Sequence, residues 1–146
     1  MTSTTVRGFR RWAKPIATYL LLATMLAIGS LHFIKPASFV AIIPEILPFK
    51  LALVYISGVF EILLGLGLFA ERTRRLAAWG LVLLFIAVFP ANINMAIHDI
   101  PVEGRHVHPA LLWGRLPFQL VFIAWAVWIA RRTPASATSQ PSDAST

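Results

Sequence analysis

The sequence contains no cysteine. This absence excludes disulfides, thiol relays, iron–sulfur ligation and thiolate metal sites in the chain. Charged residues are also scarce, since they make up 13% of the 146 residues while hydrophobic residues make up 58%. A soluble domain carries roughly twice that share of charge and spreads it over its surface. Here the charges cluster at the ends of long apolar runs, which predicts a membrane protein.

Acidic residues are the rarest charged type: there are 6, against 13 Lys and Arg, which gives a net charge of +7. In a soluble protein this excess would suggest nucleic-acid binding. Because the arginines flank apolar runs, anionic lipid headgroups and membrane topology explain them better, and no nucleic-acid partner is expected. The sequence also lacks a Gly-rich phosphate loop, a nucleophile elbow and a metalloprotease helix, so it indicates no catalytic residue.

Four apolar runs have about the 20 residues that a helix needs to cross a bilayer. They occupy residues 16–34, 51–70, 76–97 and 110–130. We predict an all-α integral membrane protein whose four helices form an antiparallel bundle within residues 15–132. Residues 1–14 then form a basic N-terminal segment, and residues 133–146, mostly Ser, Thr, Ala and Pro, form a disordered tail.

The connections between the runs differ in character. Residues 35–50 contain Pro36, Pro44 and Pro48, which exclude a spanning helix, yet apolar residues lie between them. This pattern predicts an interfacial or shallow re-entrant segment, either lying on the headgroups or covering the outer end of the bundle as a lid. Residues 71–75 are predicted to form a tight polar turn.

The basic residues predict the orientation. By the positive-inside rule the side that receives more Lys and Arg is cytoplasmic, so both termini are expected there, in a bacterial inner membrane. The residues on that side are Arg7, Arg10, Arg11, Lys14, Arg72, Arg74, Arg75, Arg131 and Arg132, against Lys35, Lys50 and Arg105 on the other.

A polar group inside the apolar runs is the candidate site. Glu61 lies near the middle of the second run, where a carboxylate costs about 2.5–3.5 kcal/mol to insert. Arg115, in the fourth run, is its predicted partner, with Gln119 one turn deeper. Asn92 and His32 lie toward the same outer end of their runs. We predict that these five residues bind a ligand or stabilise the bundle.

Three interpretations of this group stay open. Glu61 and Arg115, bridged by Gln119 or Asn92, form a structural ion pair that fixes the helix register, or the carboxylate and amide side chains grip the polar head of a lipophilic ligand such as a quinone. A proton path through Glu61 is the third. The apolar body of a ligand would lie against Phe60, Phe89 and Phe122.

Histidines outside the runs are weaker candidates. His98, His106 and His108, with Asp99 and Glu103, are compatible with a loose divalent metal site. A solvated loop that contains histidines explains them better, so we predict no metal site. Bis-histidine haem ligation is not expected, because only His32 lies within a run.

Six segments of the chain form a recognisable series, in this order: Leu31-His32-Phe33 with Pro36 and Phe39, Ile43-Pro44-Glu45-Ile46-Leu47-Pro48, Leu53-Val54-Tyr55-Ile56-Ser57-Gly58 running into Glu61, Thr73-Arg74-Arg75, Val88-Phe89-Pro90-Ala91-Asn92-Ile93, and Arg115-Leu116-Pro117 with Gln119. Together they resemble the DoxX-like family of small bacterial membrane proteins. The resemblance covers residues 16–132, and its most specific parts are the Phe-Pro-Ala-Asn and Arg-Leu-Pro-x-Gln stretches.

The resemblance implies a four-helix inner-membrane protein. The family takes its name from a subunit of a thiosulfate:quinone oxidoreductase, and other relatives are tied to redox or oxidative-stress complexes. We therefore expect an accessory subunit of a membrane redox system that binds a lipophilic molecule such as a quinone. The alternatives are a non-catalytic scaffold or assembly subunit, and a small transporter, which would have to oligomerise to build a pathway. The expected partners are the lipid bilayer and other redox subunits or further copies of the chain.

Overall fold

The computed structural model describes residues 3–101, 106 and 108–131. Every regular element within these ranges is a helix, which confirms the all-α class. The helices are α1 (Ser3–Ile34), α2 (Pro36–Ile42), α3 (Lys50–Gly67), α4 (Glu71–Ile97) and α5 (Pro109–Ala130). The predicted disordered tail, residues 133–146, lies outside the described residues.

Four of these helices are long and apolar enough to cross a membrane: Ala13–Ile34 within α1, and the whole of α3, α4 and α5. Each overlaps one of the predicted apolar runs, and the ends differ by a few residues. No more than 28% of any span is buried inside the chain, so most of its apolar surface faces outward. Such a surface needs lipid or protein around it, which is compatible with a multi-pass membrane protein.

α2 is a helix that the sequence analysis did not include. Pro36 occupies its first turn, where the N–H that proline lacks has no helical acceptor. The helix ends at Ile42, shortly before Pro44. Its 7 residues are too few to cross a bilayer, as the prolines require. The predicted interfacial or re-entrant segment is therefore a short helix followed by a loop.

The polar turn predicted over residues 71–75 is instead the first turn of α4, and the chain reverses over residues 68–70. Arg74 donates to two carbonyls of that reversal, from Nε at 3.0 Å and from Nη2 at 3.2 Å. Thr73 Oγ1 donates to the Gly67 carbonyl at 2.7 Å. These side chains satisfy carbonyls that the end of α3 leaves without helical partners.

Neighbouring spans meet in reverse order of sequence: as residue numbers rise along one helix, they fall along its partner. The contacting pairs are Gly29 with Glu61 and Met25 with Gly65 between α1 and α3, Leu64 with Gly80 and Gly67 with Ala77 between α3 and α4, and Phe85 with Gln119 and Met95 with Arg115 between α4 and α5.

Two groups of buried apolar side chains form the core. On α4 the site residue Asn92 falls between the two groups, and on α5 Gln119 does. The large core cluster contains Leu21, Met25, Leu68, Ala77, Ala78, Leu81, Val82, Phe85, Ala126, Ile129 and Ala130. The small core cluster contains Met95, Ala96 and Leu112, with Ile42, Ile100 and Leu116 packed against it.

Candidate functional site

The site begins at the crossing of α1 and α3, where two glycines let the helices approach closely. A Cβ added at Gly58 would lie 2.7 Å from His32 Cβ and 3.0 Å from the Gly29 carbonyl oxygen. One added at Gly29 would lie 3.1 Å from Glu61 Cβ. Each glycine therefore lies opposite a polar residue of the other helix. Small residues at such a crossing bring backbones together and turn the neighbouring polar side chains into the protein.

His32 and Glu61 form a buried pair at this crossing. His32 Nδ1 lies 3.3 Å from Glu61 Oε2, and each residue is 6% exposed. The same Nδ1 lies 2.9 Å from the Ile28 carbonyl, which can only accept, so Nδ1 carries the proton and donates it there. Glu61 Oε2 is left close to the imidazole without a hydrogen bond of its own. This carboxyl oxygen can therefore still form a hydrogen bond with another group.

A second buried oxygen without a hydrogen bond, Ser57 Oγ, lies one helical turn away. Three buried side-chain atoms among the described residues have no hydrogen-bond partner: Ser57 Oγ, Glu61 Oε2 and Trp125 Nε1. Ser57 and Glu61 are four residues apart on α3, so their side chains occupy neighbouring positions on one face. Buried polar atoms are nearly always satisfied, so two orphans on one face need a physical explanation. A bound polar group would supply it.

An aromatic ring covers the histidine. The Phe39 ring, on α2, stacks on the His32 imidazole with centroids 3.8 Å apart and planes inclined by 24°. The short helix thereby contacts the candidate site directly. Sequence spacing gave no indication of this contact, because Phe39 lies in the proline-rich segment for which no helix was predicted.

Asn92 and Gln119 form a separate, internally satisfied group. Asn92 Nδ2 donates to Gln119 Oε1 at 2.8 Å, and Gln119 Nε2 donates to the Phe85 carbonyl at 2.8 Å. Gln119 is 9% exposed. These bonds join α4 to α5, as the α1–α3 crossing joins the other pair of helices. The five predicted site residues are thus divided between two helix pairs.

The ion pair predicted between Glu61 and Arg115 is wrong. Glu61 pairs with His32, and the hydrogen bond of Arg115 goes from Nη1 to Met95 Sδ at 3.3 Å. The pair was predicted from the depth of each residue along its run, and depth does not determine which way a helix face points. Arg115 is an exposed residue on α5, whereas Glu61 faces α1.

The residues expected around a ligand's apolar body are also dispersed. Phe60 is half exposed on α3. Phe122 packs with Phe85 and Trp125 against the large core cluster. In the connection between α4 and α5 His106 Nδ1 lies 3.4 Å from Asp99 Oδ2. In the part of the chain that the structure describes, no group of three or more His, Asp or Glu residues could hold a metal ion.

With the geometry established, the chain can be compared with known proteins. A family described as "Domain of unknown function (DUF8561)" matches residues 21–130. The chain belongs to this family. No curated protein and no solved structure matches the chain. The DUF8561 region includes both groups of polar residues, but its description carries no activity, so function has to be argued from the site.

Sequence reasoning missed Ser57 and Phe39 as members of the site, although a signal for the His32 pair was present. Gly29 precedes His32 by three residues, and Gly58 precedes Glu61 by three residues. When helices of opposite direction cross at such glycines, each glycine comes to face the polar residue of the other helix. The repeated spacing therefore predicts the pair that formed.

Gln119 and Arg115, both on α5, are expected to contribute differently to the free energy of unfolding. Gln119→Leu should lower the free energy of unfolding by about 1–2 kcal/mol, because it removes two interhelical hydrogen bonds. Arg115→Gln should change it by less than about 0.5 kcal/mol, because the exposed guanidinium contacts a thioether sulfur. Unfolding in mixed micelles, followed by tryptophan fluorescence, measures both. Equal destabilisation by the two changes would contradict the assignment of Arg115.

Proposed function

We propose that the chain is a four-helix antiparallel bundle in a bacterial inner membrane, with both termini in the cytoplasm. The reverse order of contacts between successive spans supports the antiparallel arrangement. The ends of the spans nearest the large core cluster carry the basic residues, which supports the orientation by the positive-inside rule. These residues are Lys14, Arg72, Arg74, Arg75 and Arg131.

Its function, as we propose it, is to bind a lipophilic molecule with a polar head, such as a quinone, at Ser57, His32 and Glu61. The observation that carries this proposal is the pair of buried, unsatisfied oxygens, Ser57 Oγ and Glu61 Oε2, one turn apart on α3. A purely structural polar pair gains most when all its atoms are satisfied. A ligand carbonyl oxygen or hydroxyl could form the hydrogen bonds that these two atoms lack.

The chemistry of the three side chains suits a neutral head with both donors and acceptors. The Ser57 hydroxyl can donate to a carbonyl oxygen, and the Glu61 carboxyl can accept from a ring hydroxyl. His32 positions the carboxyl, since its Nδ1–H is held by the Ile28 carbonyl at 2.9 Å. A quinone and its reduced hydroquinone offer these groups on an apolar body. The resemblance to the DoxX-like family supports a place as accessory subunit of a membrane redox system.

A scaffold or assembly role is the second candidate, and the tight glycine crossing favours it. Helices held this closely, with a buried pair inside the contact, need no ligand to define their register. In this interpretation His32 and Glu61 stabilise the fold, and buried water forms hydrogen bonds with the unsatisfied oxygens.

Ligand extraction distinguishes the two candidates. We would purify the wild type, Glu61→Gln and Glu71→Gln in mild detergent, analyse them by native mass spectrometry, and identify lipophiles in organic extracts. Glu71 is an exposed carboxylate at the start of α4, so it is a matched control for the loss of one acid. The binding proposal expects a lipophile in the wild type and Glu71→Gln, and at least a tenfold loss in Glu61→Gln.

The fold of Glu61→Gln should be retained, because the amide keeps an oxygen beside His32. A wild type that carries no lipophile, or equal retention in both variants, would contradict binding at this site. If Glu61→Gln instead only lowers the unfolding midpoint, the scaffold function is favoured.

A further inference from the structure

The position of α2 (Pro36–Ile42) bears on how a ligand reaches the site. No residue of this helix is buried. It is held by the stacking of Phe39 on His32, by a hydrogen bond of 3.0 Å from Asn94 Nδ2 to the Ile42 carbonyl, and by packing of Ile42 against the small core cluster. A short element without a fully buried residue opens at lower free energy than the core does.

The chain that follows α2 has no regular secondary structure up to the start of α3. Pro44 and Pro48 lie in a connection without regular helix, and Phe49 adopts φ 54°, in the left-handed region. This conformation is unfavourable for a residue with a bulky side chain. A salt bridge of 2.8 Å between Lys50 and Glu45 is the ion pair seen within the connection. Both of its residues reach the surface, so it does not fix α2 to the core.

An open cleft of about 400 Å³ lies beside α2, toward the end of α4. A cleft of this size accommodates a small molecule or the head of a larger one. The hydrogen bond from Lys50 lowers the pKa of the Glu45 carboxyl, so this rim group is ionised at neutral pH. The cleft is lined by Ala41, Ile43, Glu45, Asn94, His98 and Ile100.

α2 therefore has the buried pair on one side and the cleft on the other. Phe39 lies against His32, and Ala41, two residues later, forms part of the cleft wall. Asn94 belongs to both features, since it lines the cleft and bonds to the carbonyl at the end of α2.

We propose that α2 is a lid over the site, closed in this structure, and that breaking the bond between Asn94 and Ile42 joins the outer cleft to Ser57, His32 and Glu61. Phe39 leaves the imidazole as the lid opens, and the polar head of the ligand passes from the cleft to the unsatisfied oxygens. This inference rests on the proposed ligand site, and it adds the route and the gate.

The absence of native cysteine makes the test direct. Ser57→Cys places a single thiol at one of the unsatisfied positions with a nearly isosteric side chain. A small charged methanethiosulfonate reagent reports access of water to that thiol, since charge keeps the reagent out of lipid. The rate is measured by mass spectrometry on the purified full chain in micelles, with no ligand added.

Two variants open the lid, and a third is the matched control. Asn94→Leu removes the hydrogen bond to Ile42, and Phe39→Ala removes the stacked ring. Each should raise the labelling rate of Ser57→Cys by roughly fivefold or more, the factor that corresponds to one net hydrogen bond. Ala37→Ser changes an exposed residue of the same helix and should leave the rate unchanged.

A second reporter separates lid opening from general loosening. Ala78→Cys lies in the large core cluster at 0% exposure, and its slow labelling should be unaffected by the lid variants. The proposal is overturned if Ser57→Cys labelling is unchanged by both lid variants, and equally if the two reporters become faster together. Labelling needs no ligand, so it tests the lid independently of ligand binding. The lid proposal can be contradicted while the Glu61 dependence of ligand binding is confirmed, and the ligand proposal can be contradicted while the lid is confirmed.

Discussion

Gly58→Leu is expected to prevent α1 and α3 from packing in their present register. Even a Cβ at this position would lie 2.7 Å from His32 Cβ and 3.0 Å from the Gly29 carbonyl oxygen, and neither is the end of a flexible side chain. The helices must then move apart, which breaks the contact that encloses His32 and Glu61. Overpacking in a rigid contact commonly costs about 1–3 kcal/mol and sometimes more, so we expect the free energy of unfolding to fall by about 3 kcal/mol.

Gly114→Leu is the matched control. A Cβ at Gly114 would meet nothing within 4 Å, and the position lies within α5. Leucine is a better helix former than glycine by up to about 0.8 kcal/mol, so this variant should be as stable as the wild type or slightly more so. Thermal unfolding in detergent, followed by circular dichroism, measures both. A midpoint for Gly58→Leu equal to that of Gly114→Leu would show that the crossing is not tightly packed.

His32→Leu should destabilise the chain by about 2 kcal/mol, because it removes the polar group that lies nearest to the buried Glu61 carboxyl. The stacking of Phe39 on the imidazole is lost as well. Replacing both members should be far less harmful, because an apolar pair of similar volume leaves no polar group unsatisfied. We therefore expect His32→Leu combined with Glu61→Met to recover much of the stability lost in the single variant.

A double-mutant cycle measures this coupling. The four proteins are the wild type, the two single variants and the double variant, and each unfolding free energy is taken from titration in mixed micelles. A coupling free energy well above 1 kcal/mol supports a direct interaction of His32 with Glu61. Strict additivity would contradict it, because residues that do not interact contribute independently.

The four long helices could be predicted from the sequence because a run of apolar residues of bilayer length has few alternatives. α2 could not, because proline is unfavourable within a helix interior but acceptable at its first turn, and Pro36 occupies that turn. Likewise residues 71–75 looked like a loop because they are polar. Their hydrogen bonds to the carbonyls at the end of α3 explain the polarity within a helix.

The candidate site was predicted in part, for a geometric reason. Counting residues along a helix estimates depth, and the estimate suggested that Arg115 could reach Glu61. The rotation of a helix about its axis depends instead on which residues pack. At the α1–α3 crossing Gly29 and Gly58 pack closely and direct Glu61 toward His32, whereas Arg115, on α5, is exposed. A carboxylate and an arginine at similar depth are therefore insufficient grounds for an ion pair.

The closed reversal between α3 and α4 has a consequence for biogenesis. Arg74 and Thr73 satisfy carbonyls at the end of α3 from within the next few residues of the chain. These bonds involve no later helix, so the reversal can form while α5 is still being synthesised. An unsatisfied backbone carbonyl costs several kcal/mol in lipid, so a hairpin whose reversal is already satisfied can enter the bilayer without that cost. We therefore expect α3 and α4 to enter the bilayer as one unit, with α5 added to a preformed surface.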